Sequence, residues 1–145
     1  MASGPSVVGE IIPDNEDVYR GLNPKFVEEG VPTMDCFIMS ASDPIDDGIS
    51  FGRVRDISAE NLLVALNKPS WGVAQLNVAE ALAGVKATGL VIDFRQKDAA
   101  DWGEHRTAHV MLTGYQSMKK QERNDLRRHL AKLAAKKVVI PATVN

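Results

Sequence analysis

Two histidines four residues apart, His105 and His109, form the chain's main concentration of possible site chemistry. An imidazole titrates near pH ~6.5, and a neighbouring carboxylate can move it across neutrality, so a histidine near Glu104, Asp101 or Asp93 could act as acid or base. Arg20 and Arg53 stand in strand-like segments and carry planar guanidinium groups suited to clamping a phosphate or carboxylate. Together these residues give an enzyme reading: His109 is the catalytic acid/base, and Arg20 and Arg53 clamp a phosphorylated or nucleotide-like ligand. The competing reading of His109 is structural, with its ring nitrogens hydrogen-bonded to loops in a partly buried position. Spacing of four suits two metal ligands on a helix. Here the stretch reads as loop then strand, with no third ligand apparent, so no metal site is expected. The chain has no Gly-rich phosphate loop, Gly-x-Ser-x-Gly or His-Glu-x-x-His, and no cofactor is expected.

These residues need elements to position them. Thr107 to Thr113 alternates as a strand, with Thr107, His109 and Met111 on one face and Ala108, Val110 and Leu112 on the other. Ala87 to Phe94 reads as a central strand, and the two are expected to be neighbours in one sheet. Shorter strands are expected at Val18–Arg20, Cys36–Met39, Ile49–Val54, Trp71–Leu76 and Val138–Ile140, with Gly52 marking a bulge or a close backbone approach. Asn23-Pro24 opens a short helical turn that Gly30 ends, and Pro44 to Gly48 is a turn. Ser58 caps a helix carrying Ala59, Leu62, Leu63 and Leu66, and Asn77 with Glu80 caps a short one. Ser117 is expected to cap the longest helix, with Leu126, Leu130 and Leu133 as its apolar stripe. The expected fold is α+β: a single compact domain over residues 14–145, in which a mixed β-sheet carries a long C-terminal amphipathic helix. Residues 1–13, with Gly and Pro and no periodicity, are read as a flexible N-terminal segment.

Composition narrows the class further. With 44% hydrophobic and 25% charged residues the chain is an ordinary globular protein, and its longest apolar runs fall far short of the ~18 residues of a membrane span. No secretory signal pattern opens it, and its single Cys36 cannot form an internal disulfide, so a cytoplasmic location is expected. Cys36, among Met34, Phe37, Ile38 and Met39, reads as a buried inert thiol. Trp71 reads as a cap on the core, and Trp102, in a polar loop, as a contact aromatic.

Charge is unevenly distributed. Residues 117–137 carry net +6 against −8 for the remainder. Lys132, Lys136 and Lys137 suit the negative end of a helix dipole; Lys119 and Lys120 sit at the opposite end, where positive charge is unfavourable. Lys119, Lys120, Arg123 and Arg127, together with Arg20, Arg53, His105 and Trp102, are the candidate binding residues. The favoured function is a binding or regulatory module acting through a partner protein with an acidic surface, using the basic helix, a pocket around His109, or both. The small enzyme described above is the alternative. RNA binding is a second alternative, disfavoured by the net charge of −2 and by the absence of aromatic residues interleaved with the basic ones. No membrane partner is expected.

In order along the chain, Tyr19-Arg20, Asn23-Pro24, Gly30-Val31-Pro32, Ile49-Ser50-Phe51-x-Arg53, Trp71-Gly72-Val73 and Ala108-His109-x-Met111 precede a Lys-rich helix. Over residues 18–141 this order resembles a group of small bacterial α+β proteins with no known activity. Thr107 stands where that group has proline. The resemblance implies attention to Arg20, Ser50, Arg53 and His109, and assigns no chemistry to them.

Overall fold

Alternation along Asp17–Leu22 (β1) puts Val18 and Leu22 in the main core and Tyr19 and Gly21 on the opposite face. The computed structural model describes residues 9–38, 48–86 and 89–143. After β1 come a short hairpin of Val27–Glu28 (β2) and Val31–Pro32 (β3), then Ile49–Arg53 (β4), helix Ala59–Leu66 (α1), Gly72–Asn77 (β5) and the short helix Val78–Leu82 (α2). The chain continues with Asp93–Gln96 (β6), His109–Thr113 (β7), helix Lys120–Lys136 (α3) and Val138–Ile140 (β8). Six strands form one sheet in the order β6-β7-β4-β1-β5-β8.

The fold is α+β, as expected, but every ladder in the sheet is antiparallel rather than mixed. The α1 crossover does join two strands that run parallel, β4 and β5. β1 lies between them and pairs antiparallel with both, so the parallel pair never touches.

One face of the sheet packs Val18, Phe51, Leu76, Phe94, Val110 and Leu112 against Phe37, Tyr115 and the α3 residues Leu126 and Leu130. The other packs Val73 against Ile57, Leu62, Leu63 and Trp102 beneath α1. Gly52 is the close approach anticipated for it: a β-carbon there would lie 3.1 Å from Ile57 Cγ2 and 3.2 Å from Leu62 Cδ1. Ser58 caps α1 by accepting from the Asn61 N–H, and Asn77 caps α2 by accepting from the Glu80 N–H. Among the described residues no helix is long and apolar enough to cross a membrane.

Several expected boundaries move. Cys36 begins no strand; Met34–Phe37 is a 3₁₀ turn that buries Cys36 and Phe37. The strand expected from Ala87 starts only at Asp93, because Leu90 and Val91 face solvent. The strand expected from Thr107 starts at His109, because Ala100–Ala108 winds into 3₁₀ turns broken at Gly103, where φ is +57°. The neighbour relation still holds, with Phe94 opposite Leu112 and Gln96 opposite Val110. Ser117 closes a short 3₁₀ turn, and α3 begins three residues later with Lys119 at its N-cap, where Glu122 Oε1 accepts from the Lys119 N–H at 2.7 Å. Of the expected Pro44–Gly48 turn, all but Gly48 lies outside the described residues.

Residues 9–12 are not a loose lead-in. Gly9 and Ile12 donate to the carbonyls of Gln96 and Phe94, and Gln96 donates back to Glu10, so this segment covers the outer edge of β6. Ile12 is buried in the core.

Candidate functional site

The expected enzyme constellation depends on Arg20, Arg53 and His109 converging, and the sheet separates them. Arg53 lies opposite Val18 on β1, while His109 lies opposite Gly52 on β4. Side chains on adjacent residues of a strand point to opposite faces, so Arg53 shares the face of Val18 and His109 shares the other. The three side chains do not form one concave site.

His109 is 5% exposed, and its Nδ1 lies 2.6 Å from the Lys97 carbonyl oxygen. A carbonyl only accepts, so Nδ1 carries the proton there. The Trp102 ring meets the imidazole edge-on at 4.8 Å between centroids. Trp102 is itself buried at 6% exposure, which corrects its reading as an exposed contact residue: the 3₁₀ turns fold it under α1. His105 stays near the surface, 3.6 Å from the exposed Glu104 carboxylate. Replacing His109 with glutamine should cost about 1–2 kcal/mol in a urea melt, from the Lys97 bond and the aromatic contact. A variant as stable as the parent would show that neither contact holds β7 in place.

The two arginines differ in one decisive respect. Arg53 is 1% exposed and neutralised: Nε and Nη2 donate to the two Glu16 carboxylate oxygens at 2.7 and 2.6 Å, and Nη1 donates to Glu10 at 3.1 Å. The Glu16 and Glu10 carboxylates hold its pKa above the ordinary arginine value, although burial opposes them. Its charge is satisfied internally.

Arg20 has no carboxylate partner among the described residues. It reaches across from β1 and donates to three carbonyls: Cys36 from Nε at 2.8 Å, Ser50 from Nη1 at 2.8 Å and Ile38 from Nη2 at 3.3 Å. The β1–β4 ladder covers only Val18–Arg53 and Tyr19–Gly52, so the guanidinium fills the place where the next backbone bonds would lie. It also sits 5.7 and 5.9 Å from the Phe37 and Phe51 ring centroids. Burial pulls its pKa down to about 10, opposed by Cys36 and Tyr115.

Above this gap runs a groove of about 40 Å³ whose lining includes Tyr19, Arg20, Ser50, Leu66, Trp71 and Trp102. The structure therefore brings Arg20 and Trp102 together, with His109 behind Trp102 rather than on the groove wall. Tyr19 and Trp71 were not among the expected site residues. Tyr19 is adjacent to Arg20 on β1, so strand alternation assigns the two to opposite faces and gave no signal that both would line the groove.

Cys36 is buried, its thiol donates to the Phe26 carbonyl, and desolvation raises its pKa, which leaves it an inert core residue. No group of three or more His, Cys, Asp or Glu among the described residues is placed to hold a metal ion.

The cations of α3 divide by residue type. Arg127 docks the helix on the Met34–Phe37 turn through the Met34 carbonyl and the Asp35 carboxylate, at 3.3 and 2.9 Å. Arg123 donates to the Met118 carbonyl, and Arg128 pairs with Asp125. Lys119, Lys120, Lys132, Lys136 and Lys137 are all exposed, with no carboxylate partner among the described residues. His129, which sequence reading passed over, lies with Nε2 2.7 Å from the Glu80 carbonyl oxygen and ties α3 to α2. A second cleft of about 220 Å³ opens where Lys136 and Lys137 meet Asp17 and Glu80. No protein-family model, curated protein or solved structure matches the chain.

Proposed function

We propose that the protein is a cytoplasmic binding module of regulatory type that acts through a partner protein with an acidic surface, engaged by the lysines of α3. One observation carries this reading: Arg127 is committed to docking the helix and Arg123 and Arg128 bond along it, while Lys119, Lys120, Lys132, Lys136 and Lys137 face solvent with no carboxylate partner among the described residues. Lys136 and Lys137 lie at the negative end of the helix dipole and gain from it, with Lys132 one turn before them. Lys119 and Lys120 stand at the positive end, where they oppose the dipole that Glu122 supports. Among the described residues Glu122 is the acidic side chain in that first turn, and an external anionic surface would offset the two lysines further.

The test uses a glutamate-rich acidic peptide and a single-stranded RNA oligonucleotide as probes. Peptide binding should weaken steeply from low to physiological salt. The double reversal Lys119→Glu with Lys120→Glu should weaken it further while leaving stability unchanged or higher by about 0.3–1 kcal/mol per site. Preference for RNA with a steep salt slope would move the function to nucleic acid. Indifference to salt and to charge reversal would remove α3 from any interface.

A further inference from the structure

We infer that the gap between β1 and β4 is a binding site for a small monocarboxylic acid with an apolar or aromatic body, whose carboxylate meets the Arg20 guanidinium while its body lies along Trp71. A half-buried guanidinium without a carboxylate keeps an unneutralised charge at the edge of the core, which carbonyl oxygens and ring faces offset only in part. Among the described residues Arg20 is in that state, whereas Arg53, two ladder positions from the same gap, has two glutamates. Of the five N–H donors of a guanidinium, Arg20 uses three on Cys36, Ser50 and Ile38. Two donors and the positive charge have no partner among the described residues.

The surroundings select the ligand. About 40 Å³ of space holds a carboxylate head rather than a whole ring. Tyr19, Leu66 and Trp71, all half-buried, continue the groove outward as an apolar and aromatic wall. Lys68 Nζ lies 5.7 Å from the Trp71 ring centroid at the rim. One committed guanidinium matches one negative charge, and with Arg53 already neutralised the groove lacks the second inner cation a phosphate dianion would want. A ligand seated here would also tighten the place where the sheet has lost its ladder bonds.

The chain has two tryptophans, Trp71 and Trp102, and both line the groove, so intrinsic fluorescence reads it directly. The probes are benzoate, its neutral isostere benzamide, and inorganic phosphate, each titrated into the full chain. Benzoate should change the fluorescence saturably, and at about ten times its Kd should raise Tm by about 3–6 °C. Benzamide and phosphate should do neither. Arg20→Gln keeps part of the carbonyl bonding and removes the charge, so it should lose the benzoate response. Should that variant fail to fold, the benzoate–benzamide comparison on the unaltered chain still decides. Equal responses to benzoate and benzamide, no response to benzoate, a stronger response to phosphate, or a folded Arg20→Gln variant that still binds benzoate would each overturn the inference.

Discussion

Replacing Arg53 with methionine should destabilise the protein by about 3 kcal/mol in equilibrium urea unfolding. The guanidinium is almost wholly enclosed, and its removal strands Glu16 and Glu10 around an apolar side chain. Breaking one side of a buried pair typically costs about 3–5 kcal/mol, because a charge is left without its partner. The Glu16 and Glu10 side chains keep 21% and 31% of their exposure, so water takes part of the load and the lower end of that range applies. Adding Glu16→Gln to Arg53→Met removes one of the stranded charges. The double variant should then be no less stable than the single one, with a coupling of about 0.5–3 kcal/mol across the cycle. Strict additivity would mean that Arg53 acts by packing alone. The result also bears on the two ends of the molecule, since Glu10 belongs to the segment that covers β6: loss of Arg53 should loosen that segment, seen as faster amide exchange at Gln96, which donates to the Glu10 carbonyl.

The contrast between the arginines explains why residue type alone did not tell them apart. Both stand in strands with β alternation, and both suit anion binding by chemistry. What separates them is the position of the counterions. Glu10 falls in a stretch with no periodicity of its own, so nothing local announces that it will pair along β6 and reach Arg53. Non-local pairing of this kind is decided by the assembled sheet.

Elsewhere local physics was sufficient. The period-2 pattern of β1, β4 and β5, the capping residues Ser58 and Asn77, the close approach at Gly52 and the Leu126–Leu130–Leu133 stripe each belong to one segment and could be read from it. Reading failed where an apolar run lacked alternation. The Cys36–Met39 stretch and Leu90–Ile92 are hydrophobic enough for strands, yet Cys36 and Phe37 are buried inside the Met34–Phe37 3₁₀ turn, and in the second run Val91 is 76% exposed. The groove at Arg20 was half legible. Arg20 and Trp102 could be named from sequence, but their meeting depends on the 3₁₀ turns that Gly103 interrupts and on the early end of the β1–β4 ladder.

Leu130→Ala should cost about 2–5 kcal/mol and lower Tm by roughly 4–20 °C, because the side chain is fully enclosed between α3 and the sheet. The lost methyl groups leave a cavity that the close-packed main core cannot fill without side chains leaving their own rotamers. Leu133 sits one turn further along the same stripe but is only partly buried, at the margin of the cleft near Lys136. Leu133→Ala should therefore cost clearly less, and Lys132→Ala, on the solvent side, should be close to neutral. This ranking fixes the rotation of α3 about its axis, and with it which lysines are presented outward. Equal losses at Leu130 and Leu133 would mean a helix turned toward the cleft, which would bury the Lys136 side and leave the binding surface to Lys119 and Lys120 alone.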